Sequence, residues 1–160
     1  MRDLDGLRLL LAAGARPVPD AVEDKMTLLE TLARAKGDRG RQALEMLLGA
    51  GLSPNARMHD GRSVLFHSYL TPEAARVLLA RGADPGARDT RAGATDGSAL
   101  TFHAEQRNWA TALVLLQGGV PRDHASPAGS VLARVIAAGE GSITDANDPA
   151  FKAFMAALGT

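Results

Sequence analysis

Apolar residues recur at helical spacing in four segments of the chain, and all four segments end in the same way. Leu4, Leu7, Leu10 and Leu11 fall on one helical face, Leu44, Leu47 and Leu48 on a second, Ala74, Val77 and Leu78 on a third, and Trp109, Ala112, Leu113 and Leu116 on a fourth. Recurrence at i, i+3, i+4 and i+7 predicts amphipathic helices, each with one face buried. A glycine and then a proline follow in each case: Leu-Leu-Ala-Ala-Gly-Ala-Arg-Pro (10–17), Leu-Leu-Gly-Ala-Gly-Leu-Ser-Pro (47–54), Leu-Leu-Ala-Arg-Gly-Ala-Asp-Pro (78–85) and Leu-Leu-Gln-Gly-Gly-Val-Pro (115–121). Glycine closes a helix in the left-handed conformation at little cost, and proline cannot continue it. Gly14, Gly51, Gly82 and Gly119 lie 37, 31 and 37 residues apart, a period that marks a helical repeat.

A shorter apolar segment precedes each of the last three (28–35, 64–70 and 99–104), and 131–138 opens another pair, so the predicted unit is two antiparallel helices. Between units lie polar links such as Asn55-Ala-Arg-Met-His-Asp-Gly-Arg62, where Asp60-Gly61 is a tight-turn signal and a hairpin-like finger is expected. Thr71-Pro72-Glu73 combines an N-cap, a proline at the first helical position and a first-turn carboxylate. Asp148-Pro149 does the same for a last helix over 150–158. Composition agrees with helix: Ala (30) and Leu (22) dominate, against 10 Val and Ile together and 6 aromatics.

These residues resemble the ankyrin repeat, with its turn motif Asp-x-x-Gly-x-Thr-Pro-Leu-His, two helices and closing Leu-Leu-x-x-Gly-Ala-Asp. The third unit carries the likeness furthest, opening with Asp60-Gly61-Arg62-Ser63-Val64-Leu65 and closing with Val77-Leu78-Leu79-Ala80-Arg81-Gly82-Ala83-Asp84. Ser63, Val64 and Phe66 replace the family's threonine, proline and histidine, so a weakened hydrogen-bond scaffold is expected there. The fourth unit keeps Ala99-Leu100-Thr101, Ala104-Glu105 and Leu115-Leu116-Gln117-Gly118-Gly119 in step, and the likeness spans most of 3–125. It implies an all-α ankyrin-repeat solenoid of stacked antiparallel helix pairs with hairpin-like fingers, in one domain over 1–160. The units would be 1–20 (a half repeat), 21–57, 58–88, 89–125 and an irregular C-terminal cap, 126–160, built on Phe151, Phe154, Met155 and Leu158. Against the family's length, the excess falls at 36–41, as a widened interhelical loop, and at 88–97, as an enlarged finger. The third unit is short in the turn near 70–72. Leu4 and Leu7 in the half repeat lack the usual partner helix, leaving an open edge.

Lys plus Arg and Asp plus Glu both number 18, so no overall field draws the chain to nucleic acid or an anionic membrane. With no cysteine it has neither disulfide nor thiolate chemistry, which fits a reducing compartment, and no apolar run approaches the length of a bilayer span. The N-terminus lacks the pattern of a secretory signal, and a cytoplasmic location is expected. Candidate chemistry is sparse. His59, His67, His103 and His124 sit in different parts of the repeat, Ser63/His67/Asp60 has the residue types of a triad without its geometry, and Gly93, Gly97, Gly118 and Gly119 form no phosphate cradle. No cofactor or metal is expected and no catalytic residue is assigned. A metal- or ligand-binding enzyme using His59, His67 and His103 is the competing reading. Trp109, Phe102, Phe66 and Leu79 are expected in the core. Arginine (15) far exceeds lysine (3), and Arg57, Arg62, Arg88 and Arg91 fall on two successive fingers.

In ankyrin-like proteins finger tips and first helices form the partner surface. The resemblance therefore implies a docking site of Arg57, His59, Asp60, Arg62, Tyr69, Arg88, Arg91 and Glu105 for another protein bearing an acidic patch, with Asp60, Asp89 and Asp96 as possible internal neutralisers. Such a module could be a bacterial immunity or inhibitor protein for a companion toxin or effector. It would be a monomer or a weak dimer through the N-terminal edge; a structural homo-oligomer formed there is a third reading.

Overall fold

The computed structural model describes residues 4–18, 22–23, 26–89, 97–122, 125–126 and 129–159. The described chain is mostly helical, and it divides into two compact units, Met1–Asp84 and Pro85–Thr160.

In the first unit, helix α1 (Leu4–Ala12) is followed by a two-residue strand pair, β1 (Val22–Glu23) and β2 (Met26–Thr27), which register Val22 with Thr27 and Glu23 with Met26. Helices α2 (Leu28–Ala33) and α3 (Gly37–Gly49), a 3-10 turn (Val64–Phe66) and α4 (Pro72–Ala80) follow. Thr27 starts α2 through a capping box: its Oγ1 accepts from Glu30 N (3.2 Å), and Glu30 Oε2 accepts from Thr27 N (2.7 Å). This satisfies two of the donors that a helix start leaves open. Thr71 caps α4 with Pro72 behind it, as the sequence predicts, and it also binds the preceding pair, donating its N–H to Ala33 O (3.1 Å).

The glycine stops take the expected form. Gly14, Gly51 and Gly82 have φ of +90°, +104° and +89°. Behind them Ala15 N donates to Leu10 O, Leu52 N to Leu47 O and Ala83 N to Leu78 O, all at 2.9–3.0 Å. This six-to-one bond takes up a carbonyl that would otherwise be orphaned. The core holds Leu29, Leu32, Leu44, Leu47, Leu52, Leu65, Phe66, Leu70 and Leu78, all at most 4 % exposed. Burying each such side chain stabilises by about 1.5–3 kcal/mol. α3 packs against α1, α2 and α4.

Four expectations change in this unit. Residues 37–41 do not widen a loop; they form the first turns of α3, held by Arg41 pairing with Glu45 (2.7 Å) and Asp38 (3.7 Å), side-chain pairs that support a helix despite its glycines. Segment 64–70 is not an α-helix: a single 3-10 turn covers Val64–Phe66 and the chain is extended at His67. β-branched and aromatic residues there are weak helix formers, and Leu70 N bonding His67 O (2.8 Å) turns the chain directly into the Thr71 cap. Leu79 is only half-buried, because Leu78 takes the inward position. In α1, Leu4, Leu7 and Leu11 are half-buried while Leu10 is exposed.

The second unit contains α5 (Ala99–Glu105), α6 (Trp109–Gln117), a strand pair β3 (Ala125–Ser126) and β4 (Gly129–Ser130), α7 (Val131–Glu140), α8 (Ile143–Asn147) and α9 (Pro149–Leu158). Ser98 caps α5 through Oγ accepting Thr101 N (3.2 Å), and Gly119 (φ +81°) closes α6 with Val120 N bonding Leu115 O (3.0 Å). α9 starts at the predicted Asp148-Pro149 signal, Asp148 Oδ1 accepting from Ala150 N (2.8 Å). α6 packs against α5 and α9, and it accordingly buries Trp109, Thr111, Ala112, Val114 and Leu115, while Leu113 and Leu116 are half-buried. Trp109 meets Phe151 edge-on at 4.7 Å and lies tilted against Phe154 at 5.6 Å, ring centroid to centroid. Phe102, expected in the core, is half-buried and meets His103 edge-on at 5.2 Å. Gly139 leaves room for the Phe151 ring, since a Cβ there would lie 2.9 Å from it. Among the described residues no helix is long and apolar enough to cross a membrane.

Candidate functional site

In the first unit the finger residues and the turn after the 3-10 helix gather most of the predicted site. Arg57 pairs with Ser63 across an isolated antiparallel bridge, and Met58 N donates to Arg62 O (2.8 Å). The Asp60-Gly61 turn forms as predicted, with Gly61 at φ +84° and its N–H on Met58 O (2.9 Å). The finger's polar groups are largely satisfied by one another. Arg57 Nη1 donates to Gly61 O at 2.7 Å. Arg62 is gripped by Asp60 through Nε (2.8 Å) and Nη2 (2.7 Å), with its backbone N–H also on Asp60 (3.1 Å). The internal neutralisation that Asp60 could provide is therefore present, and only 14 % of the Arg62 side chain is exposed.

His59 is tied to α2. Its backbone N–H reaches Glu30 Oε2 (3.2 Å) and its Nδ1 lies 2.7 Å from Glu30 Oε1. Glu30, 2 % exposed, thus joins the α2 capping box to the next finger. Burial pushes its carboxyl upward, but hydrogen bonds from Thr27 and His59 more than offset this and hold it below the ordinary value of 4.5. Glu30 was not singled out from the sequence, although Thr27-x-x-Glu30 before an apolar run is a readable capping-box signal.

The turn residues behave differently. Tyr69 is 70 % exposed, follows the 3-10 turn rather than ending a helix, and carries the Arg34 guanidinium carbon 5.5 Å from its ring centroid. Its N–H donates to His67 Nδ1 (3.2 Å), and the two rings are 6.1 Å apart. Burial first, and then Arg34 and Arg62, lower the His67 pKa from 6.5 against the opposing pull of Glu30 and Asp60. The ring is therefore neutral at pH 7. Arg34, at the end of α2 and distant in sequence from Tyr69, carries no local signal that would have identified it.

In the second unit Arg88 is exposed and bridges Ser98, forming the base of the expected finger, while Asp89 beside it is buried. Arg91, Asp96, Gly93 and His124 lie outside the described residues. Glu105 is exposed at the end of α5. His103 is fully buried, with Nδ1 3.3 Å from Asn108 Nδ2, which makes it a structural residue. Another buried carboxylate, Asp145, accepts from Trp109 Nε1 (3.1 Å) and pairs with Arg107, which sits at the unusual φ of +57°.

Catalytic geometry is missing where the sequence offered its residue types. Ser63 Oγ accepts from Leu65 N (3.3 Å) and His67 Nδ1 from Tyr69 N, and no hydrogen bond joins Ser63 to His67. Among the described residues no three His, Asp or Glu side chains converge on a metal site. No family model matches the chain, and no curated protein matches it at a significant level.

Proposed function

We propose that this protein is a non-catalytic module of ankyrin-like helical repeats that binds another protein through its fingers and the exposed turns beside them. The observation that carries the reading is the recurrence of one local design: an antiparallel pairing that ends on a Ser or Thr cap at Thr27, Ser63 and Ser98, and a second helix ending in a left-handed glycine at Gly51, Gly82 and Gly119. Stacked repeats of this kind serve binding by presenting a surface, and complementarity alone suffices for a stoichiometric inhibitor. Within that reading we favour an immunity-type role, in which the protein neutralises a companion toxin or effector in a reducing, cytoplasmic setting. Three of the acid–base candidates support a binding role, since His59, Asp60 and His103 are engaged in hydrogen bonds that hold the fold together.

The test is to isolate a specific partner from the native host and measure its affinity for the wild type and for Arg57→Glu, Tyr69→Ala and Arg88→Glu. A loss of about tenfold or more in at least one folded variant is expected. Full affinity in all three would remove the finger-and-turn surface, and substrate turnover lost on His67→Ala would replace the reading with an enzyme. A second reading, self-association through α1, draws on Leu9 and Leu10, which are 72 % and 61 % exposed. Sedimentation over a concentration series tests it: a constant monomer mass rejects it.

A further inference from the structure

We propose that the His59 imidazole is a site of covalent modification, a nucleophile set by Glu30 that takes an activated acyl group on Nε2. The proposal stands apart from the docking reading: it asks for one stoichiometric adduct and no turnover.

The two parts come from separate segments. Thr27-x-x-Glu30 opens α2, and its capping box fixes the Glu30 carboxylate at the helix start, 2 % exposed. His59 stands 29 positions further on, just before the Asp60-Gly61 turn. Backbone and ring of His59 are both held by that carboxylate, the N–H donating to Oε2 (3.2 Å) and Nδ1 lying 2.7 Å from Oε1. Oε2 accepts the Thr27 N–H as well. These donors hold the carboxyl below its ordinary range despite burial, so at neutral pH it is ionised and can only accept. The proton of the short ring contact therefore sits on Nδ1. A neutral imidazole carries one N–H, which leaves the lone pair on Nε2. The side chain is 51 % exposed, and Nε2 has no partner among the described residues.

This arrangement favours attack in two ways. The tautomer with a free Nε2 lone pair is selected before any reagent arrives, and the ring is oriented by a bond on its other side. As Nε2 forms a new bond the ring becomes cationic, and the buried carboxylate beside Nδ1 stabilises that charge. His67 and His103 have neither advantage. His67 uses its Nδ1 lone pair to accept the Tyr69 N–H and is half-buried, and His103 is fully enclosed. In the step itself Nε2 bonds to the carbonyl carbon of the donor, the bond from that carbon to the leaving oxygen breaks with its electron pair, and the Nδ1 proton passes to Glu30 Oε1.

Diethyl pyrocarbonate, an activated carbonyl reagent, tests the proposal. The full chain is treated with a limiting amount at about pH 8, where an ordinary imidazole is neutral, and each site is followed in time by mass spectrometry. Cleavage after Arg57, Arg62 and Arg76 puts His59 and His67 on separate peptides. His59 is expected to react about fivefold or more faster than His67, and about twofold or more faster than the histidine of a free, isotope-labelled 58–62 peptide in the same tube. Exposure alone would make the half-covered His59 slower than that peptide. Nitrogen NMR of the histidine-labelled wild type should place the proton of His59 on Nδ1 and that of His67 on Nε2. Glu30→Gln, if it folds, should bring His59 to the rate of the peptide or below. A wild-type His59 no faster than the free peptide, or one with its proton on Nε2, overturns the proposal, and both measurements need no variant.

Discussion

Helices α1 and α9 have comparably apolar sequences, LDGLRLLLA and PAFKAFMAAL, and they meet opposite fates. α9 drives Phe151 and Phe154 against Trp109 and rests on both α6 and α8. α1 packs against α3, buries no residue fully, and leaves Leu9 and Leu10 in solvent. An amphipathic pattern states only that a face can be buried; whether it is depends on a neighbour offering a complementary face. α9 is held by aromatic packing and, through Trp109, by the buried Asp145. α1 is held by three half-buried leucines and the loop contact of Arg16 with Ala50 O (3.3 Å).

By this contrast, the largest loss of stability comes from the α9 side. Phe154→Ala should lower unfolding free energy by about 3–5 kcal/mol through lost burial and a cavity beside Trp109. Chemical denaturation monitored by Trp109 fluorescence measures it, and a loss under about 1 kcal/mol would show that α9 is as loosely held as α1.

Within the first unit, Leu78→Ala should cost about 2–5 kcal/mol and Leu79→Ala distinctly less, since only Leu78 is fully enclosed. Equal losses at the two positions would place the α4 face wrongly.

Glu30→Gln comes next, at about 1–3 kcal/mol, because a buried acceptor of several N–H groups is exchanged for a group that must also donate. Acid should act in the same direction in two stages. His67 binds its proton less readily folded than unfolded, so stability falls as pH drops below about 6.5, the unfolded value. Glu30 has a folded pKa below 4.5, so its contribution is present above that value and is lost as pH falls through the folded pKa. A His67→Gln variant should lose the first stage and keep the second, read from denaturation midpoints across pH. An unaltered profile would remove His67 as its source.

The smallest effect belongs to α1. Replacing Leu9 and Leu10 by Ser should change monomer stability by no more than about 0.5 kcal/mol each. A large loss would mean that the two leucines are covered in solution, contrary to their exposure, and a matching fall in mass on sedimentation would identify a second copy as the cover.

Much of the architecture was readable before any coordinate was known. The Thr71-Pro72 and Asp148-Pro149 starts, the Asp60-Gly61 turn and the stops at Gly14, Gly51, Gly82 and Gly119 all form where the sequence predicts. The candidate site was legible in part. Tyr69 is exposed, but Arg62 is bound by Asp60, and the residue stacked on Tyr69 is Arg34, which precedes it by 35 positions. The helix over 64–70 failed because propensity and turn geometry outweighed the repeat analogy, and the loop over 36–41 failed because i,i+4 ion pairing outweighed two glycines.

Each feature the chain settled by itself depends on a bond closed within a few residues: a cap oxygen on an N–H two or three positions ahead, or a left-handed glycine whose following residue returns its N–H to a carbonyl five behind. Such choices are fixed by local sterics and hydrogen bonding whatever surrounds them. Which leucine of a doublet turns inward, how His59 comes to hold Glu30, and where Arg34 meets Tyr69 join segments about thirty residues or more apart or depend on which helix lies alongside. Only the packed structure decides these, because the free energy of burial and of a long-range hydrogen bond exists only once the neighbour is in place.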